Sequence, residues 1–159
     1  MVSLDPFVPE DQAISDPSLV GLWQDGGNGD KDFVVIRQKG SAYLIRFFGD
    51  DKDASMGFEG HLMRVGDAEL MDLVCTSDTS FNIPVHMVAR VWTEGGALRW
   101  VFLDSDWLKA QVKQTLATEG AGDRTLITTK GAALAEFLKK FGAEEKAYSG
   151  EMKRWVRAQ

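Results

Sequence analysis

Between residues 19 and 104 the chain alternates short runs of β-branched, aromatic and other apolar residues with clusters of glycine and aspartate. The runs are LVGLWQ, DFVVIRQ, AYLIRFF, MGFEGHLMRV, AELMDLVCT, VHMVARVWT and ALRWVFLD. Strands at this spacing leave little room for crossover helices, so the pattern predicts antiparallel pairing between neighbours in the chain. We therefore expect a mostly β fold: an up-and-down antiparallel β-barrel of about eight strands with C-terminal helices.

Two kinds of connection alternate between these runs. Three have the composition of tight hairpin turns: Lys39-Gly40, Gly66-Asp67 and Gly95-Gly96. Three others are longer and cover residues 25–31, 49–55 and 76–84. Alternate connections of a meander lie at opposite ends, so the long loops should share one rim, the mouth, and the tight turns the other, the base.

The periodicity changes after residue 104. A helix near 105–118 is predicted, with Asp104, Ser105 or Asp106 as its cap and with Leu108, Val112 and Leu116 at four-residue spacing. The segment RTLIT at 124–128 then predicts an eighth strand. We expect one domain over 1–159, with the barrel at 18–128 and a helical tail at 129–159.

The tail should contain a second helix capped by Thr128 or Thr129 and ended by Gly142. Its apolar stripe consists of Leu134, Phe137, Leu138 and Phe141. A short last helix is predicted to carry Met152, Trp155 and Val156 on one side, with a strand as the alternative.

The run Gly21-Leu22-Trp23, at the start of the first predicted barrel strand, resembles the G-x-W signature of lipocalins and the wider calycin group. This resemblance implies that Trp23 closes the base of an eight-stranded barrel and packs under a basic side chain from near the C-terminal end. Arg154 and Arg124 are the candidates for that side chain. The resemblance extends over about residues 18–128, but a helix before the eighth strand departs from the family's pattern.

Charge and composition exclude several classes of function. The net charge of -6 argues against a nucleic-acid surface, since such surfaces depend on lysine and arginine. The last 30 residues carry a charge of +3, which fits a basic tail docked on an acidic barrel. The single cysteine, Cys75, follows an apolar run and is expected to be a buried structural thiol in a reducing compartment. No membrane span or secretory leader is apparent, so the expected location is the cytoplasm, unless a leader has been removed.

Motifs that carry chemistry are missing from the sequence. The glycine-rich segment at 25–32 lacks the order of a phosphate-binding loop, and its aspartates lack EF-hand spacing. There is no G-x-S-x-G, H-E-x-x-H or C-x-x-C. We therefore expect no catalytic residue, no metal and no cofactor, although catalytic groups gathered from separate strands leave no local signature.

The histidines give the candidate ligand-binding residues. With Gly66-Asp67 as a two-residue turn, His61 lies opposite Asp72, where a carboxylate could orient an imidazole for ligand contact or proton transfer. The alternative is a cross-strand hydrogen bond on a solvated face. His86 should mark the junction of a loop and a strand. The candidates are His61, Asp72, His86, Arg90 and Trp107.

The leading functional hypothesis is non-catalytic binding of a small, largely apolar molecule inside the barrel. Trp107 would either cover the mouth or pack between a helix and the outer wall. The mouth should be electronegative because of Asp25, Asp30, Asp50, Asp51, Asp53 and Asp78. A filled barrel that acts as a protein-interaction or structural module is the alternative, and a small-molecule enzyme is third. Strands that are apolar on both faces predict an outer wall covered by the C-terminal helices or by a homodimer partner.

Overall fold

The computed structural model describes residues 2–27, 32–49, 55–77, 83–121 and 124–158. The strands in this part of the chain are β1 (Val2–Ser3), β2 (Gly21–Asp25), β3 (Phe33–Lys39), β4 (Ala42–Phe48), β5 (Ser55–Val65), β6 (Ala68–Cys75), β7 (His86–Glu94), β8 (Ala97–Phe102), β9 (Thr118–Ala121), β10 (Arg124–Ile127) and β11 (Lys153–Arg157). The α-helices are α1 (Ser105–Thr115) and α2 (Gly131–Phe141). Short 3-10 helices are formed by Glu10–Gln12, Pro17–Leu19 and Glu145–Ala147.

Eight of these strands close into an antiparallel barrel, which confirms the predicted fold class. Strands β2 to β8 form a meander in chain order, including a β6–β7 pair. Strand β11 fills the gap between β8 and β2, with Trp155 opposite both Leu98 and Asp25. Closure leaves no free edge in the barrel itself.

The predicted barrel bounds of 18–128 are wrong at the C-terminal end. Residues 124–127 do form a strand, but β10 pairs with β9 and, in parallel, with β1, outside the barrel. The eighth barrel strand is β11, within the segment predicted to be a helical tail. Five residues are too few for periodicity to separate helix from strand. The backbone N–H and C=O groups at the open edges of β2 and β8 need hydrogen-bond partners. This requirement makes residues 153–157 a strand.

Hairpin geometry agrees with the sequence at the base. The first turn consists of Gly40-Ser41, one residue later than predicted, and the other two lie at the predicted positions. Positive φ angles occur at Gly40 (61°), Gly66 (58°) and Gly95 (58°), where two-residue turns favour glycine. His61 lies opposite Asp72, as predicted.

Two hydrophobic clusters stabilise the fold. The barrel core fills the interior and includes Leu19, Trp23, Ile36, Tyr43, Ile45, Leu62, Met71, Leu98, Trp100 and Trp155. The outer core lies between the barrel wall and the helices and includes Phe7, Val8, Met63, Leu70, Val88, Leu108, Val112, Leu134, Phe137 and Leu138. Alternate residues of β5 and β6 enter different clusters, so the helices cover the outer face of these two strands.

The two helices begin differently. The Asp104 carboxylate caps α1 by accepting hydrogen bonds from the Asp106 and Trp107 amides at 2.9 and 2.8 Å. The predicted threonine cap of α2 is wrong, because Lys130 occupies the N-cap position and its side chain does not cap the helix. Thr129 instead accepts a hydrogen bond from the Ala117 amide at 2.7 Å. Gly142 ends α2 as predicted.

Cys75 is exposed, so the predicted burial of its thiol is wrong. The residue is the last of β6 and lies opposite Phe58. The apolar run that suggested burial belongs to the middle of the strand, whereas its end reaches solvent.

Candidate functional site

The barrel is closed at its base by the segment before β2. Leu19 is fully buried in the barrel core, and its carbonyl accepts a hydrogen bond from Trp23 Nε1 at 2.9 Å. The Tyr43 hydroxyl accepts from the Asp16 amide at 2.6 Å and donates to the Asp16 carbonyl at 3.2 Å. Burial raises the pKa of Tyr43 above its ordinary value. The segment before β2, together with the side chains that bind it, therefore closes the base of the barrel.

A basic side chain does cover Trp23, but it is neither of the predicted ones. The guanidinium carbon of Arg157 lies 4.0 Å from the centroid of the Trp23 ring. Arg157 also donates to the carbonyls of Val20 at 2.6 Å and Ser18 at 3.0 Å. Arg154 instead donates to the Gly26 carbonyl at 3.4 Å, and Arg124 belongs to β10, outside the barrel. Arg157 was missed because a helix was predicted for its segment, and only a strand brings Arg157 back to the base.

Four of the five predicted ligand-binding residues lie on the outer face of the barrel. His61, Asp72, His86 and Arg90 alternate along their strands with residues of the barrel core. The parity of β5, β6 and β7 therefore directs them away from the interior. Their role in ligand binding stays a prediction, and a site formed by them would lie on the outer wall of the barrel.

Asp72 and His86 form one connected cluster with the N-terminal segment. Asp72 is 2% exposed, and its carboxylate oxygens lie 3.1 Å from His86 Nδ1. One of these oxygens also accepts hydrogen bonds from the amides of Phe7 at 2.9 Å and Val8 at 3.3 Å. His61 lies opposite Asp72, yet the carboxylate is shared between His86 and the backbone. The cluster fixes residues 7 and 8 against the wall.

Arg90 lies close to Trp92 and Tyr148, whereas Trp107 packs against α2. Arg90 has its guanidinium carbon 5.6 Å from the centroid of the Trp92 ring. Its charge lowers the pKa of Tyr148, but burial outweighs it and raises that pKa well above the ordinary value. Trp107 packs against the rings of Phe137 and Phe141, each at a centroid distance of 6.4 Å. Of its two expected positions, Trp107 occupies the one between helix and outer wall.

The barrel interior is nearly filled. Between the base and the ring of Phe47 there is a cavity of about 20 Å³, lined entirely by apolar residues. That volume is room for about one water molecule. A drug-sized ligand needs roughly 300 Å³ or more. The space for a ligand therefore has to be found elsewhere.

An apolar cleft of about 360 Å³ opens at the mouth. It is lined by Asp32, Phe33, Phe47, Phe48, Gly49, Met56, Phe58, Leu73, Phe102 and Trp155. Three of its apolar side chains are well exposed: Phe48 at 40%, Met56 at 52% and Phe102 at 44%. Exposed apolar area of this kind is typical of a binding surface. We call this space the mouth cleft.

Phe47 separates the mouth cleft from the small interior cavity. Together with Leu73 and Phe102 it lines both spaces. Its ring meets Trp100 at 5.1 Å, Phe58 at 5.6 Å and Trp155 at 6.1 Å between centroids, all in edge-to-face or steeply tilted geometry. Aromatic pairs at these distances stabilise one another beyond their burial. The floor of the cleft is thus a packed aromatic cluster.

Sequence reasoning missed the residues of the mouth cleft. One signal could have found Phe47: it follows Tyr43 and Ile45 at two-residue spacing along β4, and residues two apart share a face of a strand. Trp155 could not be found in the same way, since its segment was expected to be helical. Five of the aspartates predicted at the mouth, Asp30, Asp50, Asp51, Asp53 and Asp78, lie outside the described residues.

A second hollow of about 360 Å³ lies on the outer wall of β3, β4 and β5. Arg37 and Arg46 border it, together with Leu44 and Phe48. None of the helices in the described part of the chain covers this wall, and Leu22, which is 46% exposed, continues the apolar surface on β2. The mouth cleft differs from it in having almost no charged lining and in adjoining the barrel core.

Comparison with known proteins gives no relative. No protein-family model matches the chain, and neither a curated protein nor a solved structure matches it. Neither α1 nor any other helix in the described ranges is long and apolar enough to cross a bilayer. Within those ranges, no three His, Cys, Asp or Glu side chains are grouped closely enough to hold a metal ion.

Proposed function

We propose that this protein binds a small, largely apolar molecule in the mouth cleft, without catalysis. The observation that carries the proposal is an apolar space of about 360 Å³ at the open end of a closed barrel. That volume lies within the range of small-molecule sites, which is about 300 to 1,000 Å³. Exposed Phe48, Met56 and Phe102 would gain stability by covering their apolar surface with a ligand.

The base supports a lipocalin-like classification as part of this proposal. Trp23 of the G-x-W run is 1% exposed in the barrel core and lies under Arg157 from the last strand. This is the arrangement that the resemblance implied. It seals the base, so a ligand would enter from the mouth. Because the interior is packed, we propose that the ligand binds above Phe47 rather than deep in the barrel.

Titration with a neutral apolar fluorophore, N-phenyl-1-naphthylamine, tests the proposal. The probe should bind with micromolar affinity, and Met56→Lys should weaken binding by about tenfold because it places a charge in the apolar lining. Met56 is 52% exposed, so this change should leave the fold intact. Leu22→Lys is the matched control, since Leu22 is similarly exposed but lies outside the cleft. Equal binding by both variants would contradict the proposed site.

A second candidate function is a protein-interaction module, favoured by the filled interior and by the uncovered outer wall. Leu22 is 46% exposed and Leu44 is 38% exposed on this wall. We propose a homodimer through the wall as the form of this alternative. Sedimentation of wild type and Leu22→Lys decides it: a dimer that dissociates in the variant supports it, and a monomer in both overturns it.

A further inference from the structure

Trp155 lines the mouth cleft, and its indole N–H has no acceptor among the described residues. The residue is 6% exposed and packs against Trp100 at a centroid distance of 5.5 Å. Its Nε1 atom is buried and has no hydrogen-bond partner among the described residues. A buried donor without an acceptor has lost its hydrogen bond to water and gained none in return, which destabilises the fold. Such a group therefore calls for a physical explanation.

Two other tryptophans, Trp23 and Trp107, differ from Trp155 in what surrounds the indole N–H. Trp23 is buried in the same barrel core, and its Nε1 donates to the Leu19 carbonyl at 2.9 Å. Trp107 Nε1 also lacks a partner in the described part of the chain, but its ring lies in the outer core against α2. Trp155 alone among these three lines the mouth cleft. A ligand in the cleft can supply the acceptor that the protein does not.

The charge of the lining restricts the acceptor. Among the described residues that line the cleft, Asp32 is the only one with a titratable side chain, and none is basic. A carboxylate or phosphate bound there would lose its hydration without gaining a cationic partner from these described residues, and Asp32 would repel it. A neutral oxygen avoids both costs. A carbonyl, ester or ether oxygen fits this environment, whereas an ionised acid does not.

We infer that the ligand of the mouth cleft is a neutral apolar molecule with an oxygen acceptor, which takes a hydrogen bond from Trp155 Nε1. The inference rests on the proposed function, since it needs a ligand in the cleft. It adds the chemical class: ketones, esters or ethers rather than pure hydrocarbons or fatty-acid anions. Because Nε1 is buried, the ligand has to shift neighbouring rings, among them Phe47, which lines both cavities and packs against Trp155.

Two probes of nearly equal shape test the inference: 2-acetylnaphthalene, which has a carbonyl, and 2-isopropylnaphthalene, which does not. Each is titrated into wild type and Trp155→Phe, a change that keeps an aromatic ring and removes the donor. Trp155→Phe should weaken binding of the ketone by about tenfold and of the hydrocarbon by less than about twofold. The comparison within each probe cancels their different solubilities.

Nuclear magnetic resonance of indole-labelled wild-type protein gives a readout that does not depend on the variant's stability. The Trp155 indole N–H signal, assigned by its absence in Trp155→Phe or by through-space contacts, should move downfield with the ketone and less with the hydrocarbon. If both probes bind and this signal responds equally to them, the inference is overturned while the proposed function stands. If neither probe binds, both are overturned.

Discussion

Arg157 covers the indole ring of Trp23, with the guanidinium carbon 4.0 Å from the ring centroid. The two residues lie on β11 and β2, which pair with Trp23 directly opposite Arg157. Arg157 further binds the carbonyls of Ser18 and Val20 just before β2. One side chain thus joins the barrel's first strand, its last strand and the segment that seals its base.

Replacement of Arg157 by Gln should lower the free energy of unfolding by about 2 kcal/mol, since hydrogen bonds from a charged group and a cation–π contact are lost together. Urea denaturation of the two proteins measures the difference. Arg154→Gln is the control. In the described part of the chain, the Arg154 side chain donates to the Gly26 carbonyl at 3.4 Å, and its replacement should cost less than about 0.5 kcal/mol. Equal losses in the two variants would show that Arg157 has no special role in closing the barrel.

Asp72 should be needed to hold the N-terminal segment on the barrel wall. Asp72→Asn replaces a buried carboxylate that faces two backbone N–H groups and His86. The loss should be about 2–3 kcal/mol, because hydrogen bonds to a charged acceptor are the stronger kind. Hydrogen exchange of the Phe7 and Val8 amides should speed up more than that of the barrel strands. Asp67→Asn, in an exposed hairpin turn, should change neither quantity.

The cap of α1 should give the stability a defined acid dependence. The hydrogen bond from Ser149, followed by those from the Trp107 and Asp106 amides, lowers the pKa of Asp104 below its ordinary value of 3.8. A lowered pKa in the folded protein means that this contribution is complete above the ordinary value and is lost as the pH falls through the lower one.

Asp104→Ala should therefore cost about 1 kcal/mol at neutral pH, a normal value for a lost N-cap. The difference in free energy of unfolding between wild type and variant should disappear as the pH falls below the ordinary aspartate pKa. Denaturation curves over a range of pH measure it. Asp106→Ala serves for comparison because the Asp106 side chain is 93% exposed and forms a surface ion pair with Lys109. If this difference in the free energy of unfolding stays constant at acid pH, the charged form of Asp104 is not the source of the stabilisation.

The fold could be predicted from sequence where local signals and closure agree. Glycines at the base turns and inward alternation along β3 to β8 act within a few residues, so the meander and the pairing of His61 with Asp72 followed directly. The eighth strand could not be found in this way. Nothing within Lys153–Arg157 distinguishes it from a helix, and its conformation depends on the open edges of β2 and β8.

The candidate site was harder to predict than the fold, for a related reason. Ligand residues were sought among histidines and charged groups, but the parity of their strands places them on the outer wall. The mouth cleft is made of Phe47, Met56, Phe102 and Trp155, which look like ordinary core residues in sequence. Only three-dimensional packing shows that the interior is filled and that the free space lies above Phe47.

Phe47 should set the depth to which a ligand can enter. Its ring divides the mouth cleft of about 360 Å³ from the interior cavity of about 20 Å³. Phe47→Ala should join the two spaces and add the volume of the ring. The variant should lose about 3 kcal/mol of stability, a common cost for removing a packed phenyl ring.

A series of neutral n-alcohols, measured by displacement of N-phenyl-1-naphthylamine, tests this depth. Each methylene that enters an apolar space contributes about 0.8 kcal/mol, so affinity should rise with chain length and level off once the space is full. In Phe47→Ala the rise should continue for about two or three more carbons, because the chain can pass into the interior. Phe48→Ala removes a ring of the same size from the exposed rim and should leave the levelling point unchanged. The same chain-length limit in wild type and Phe47→Ala would mean that alcohols stop above the aromatic floor for a reason other than Phe47.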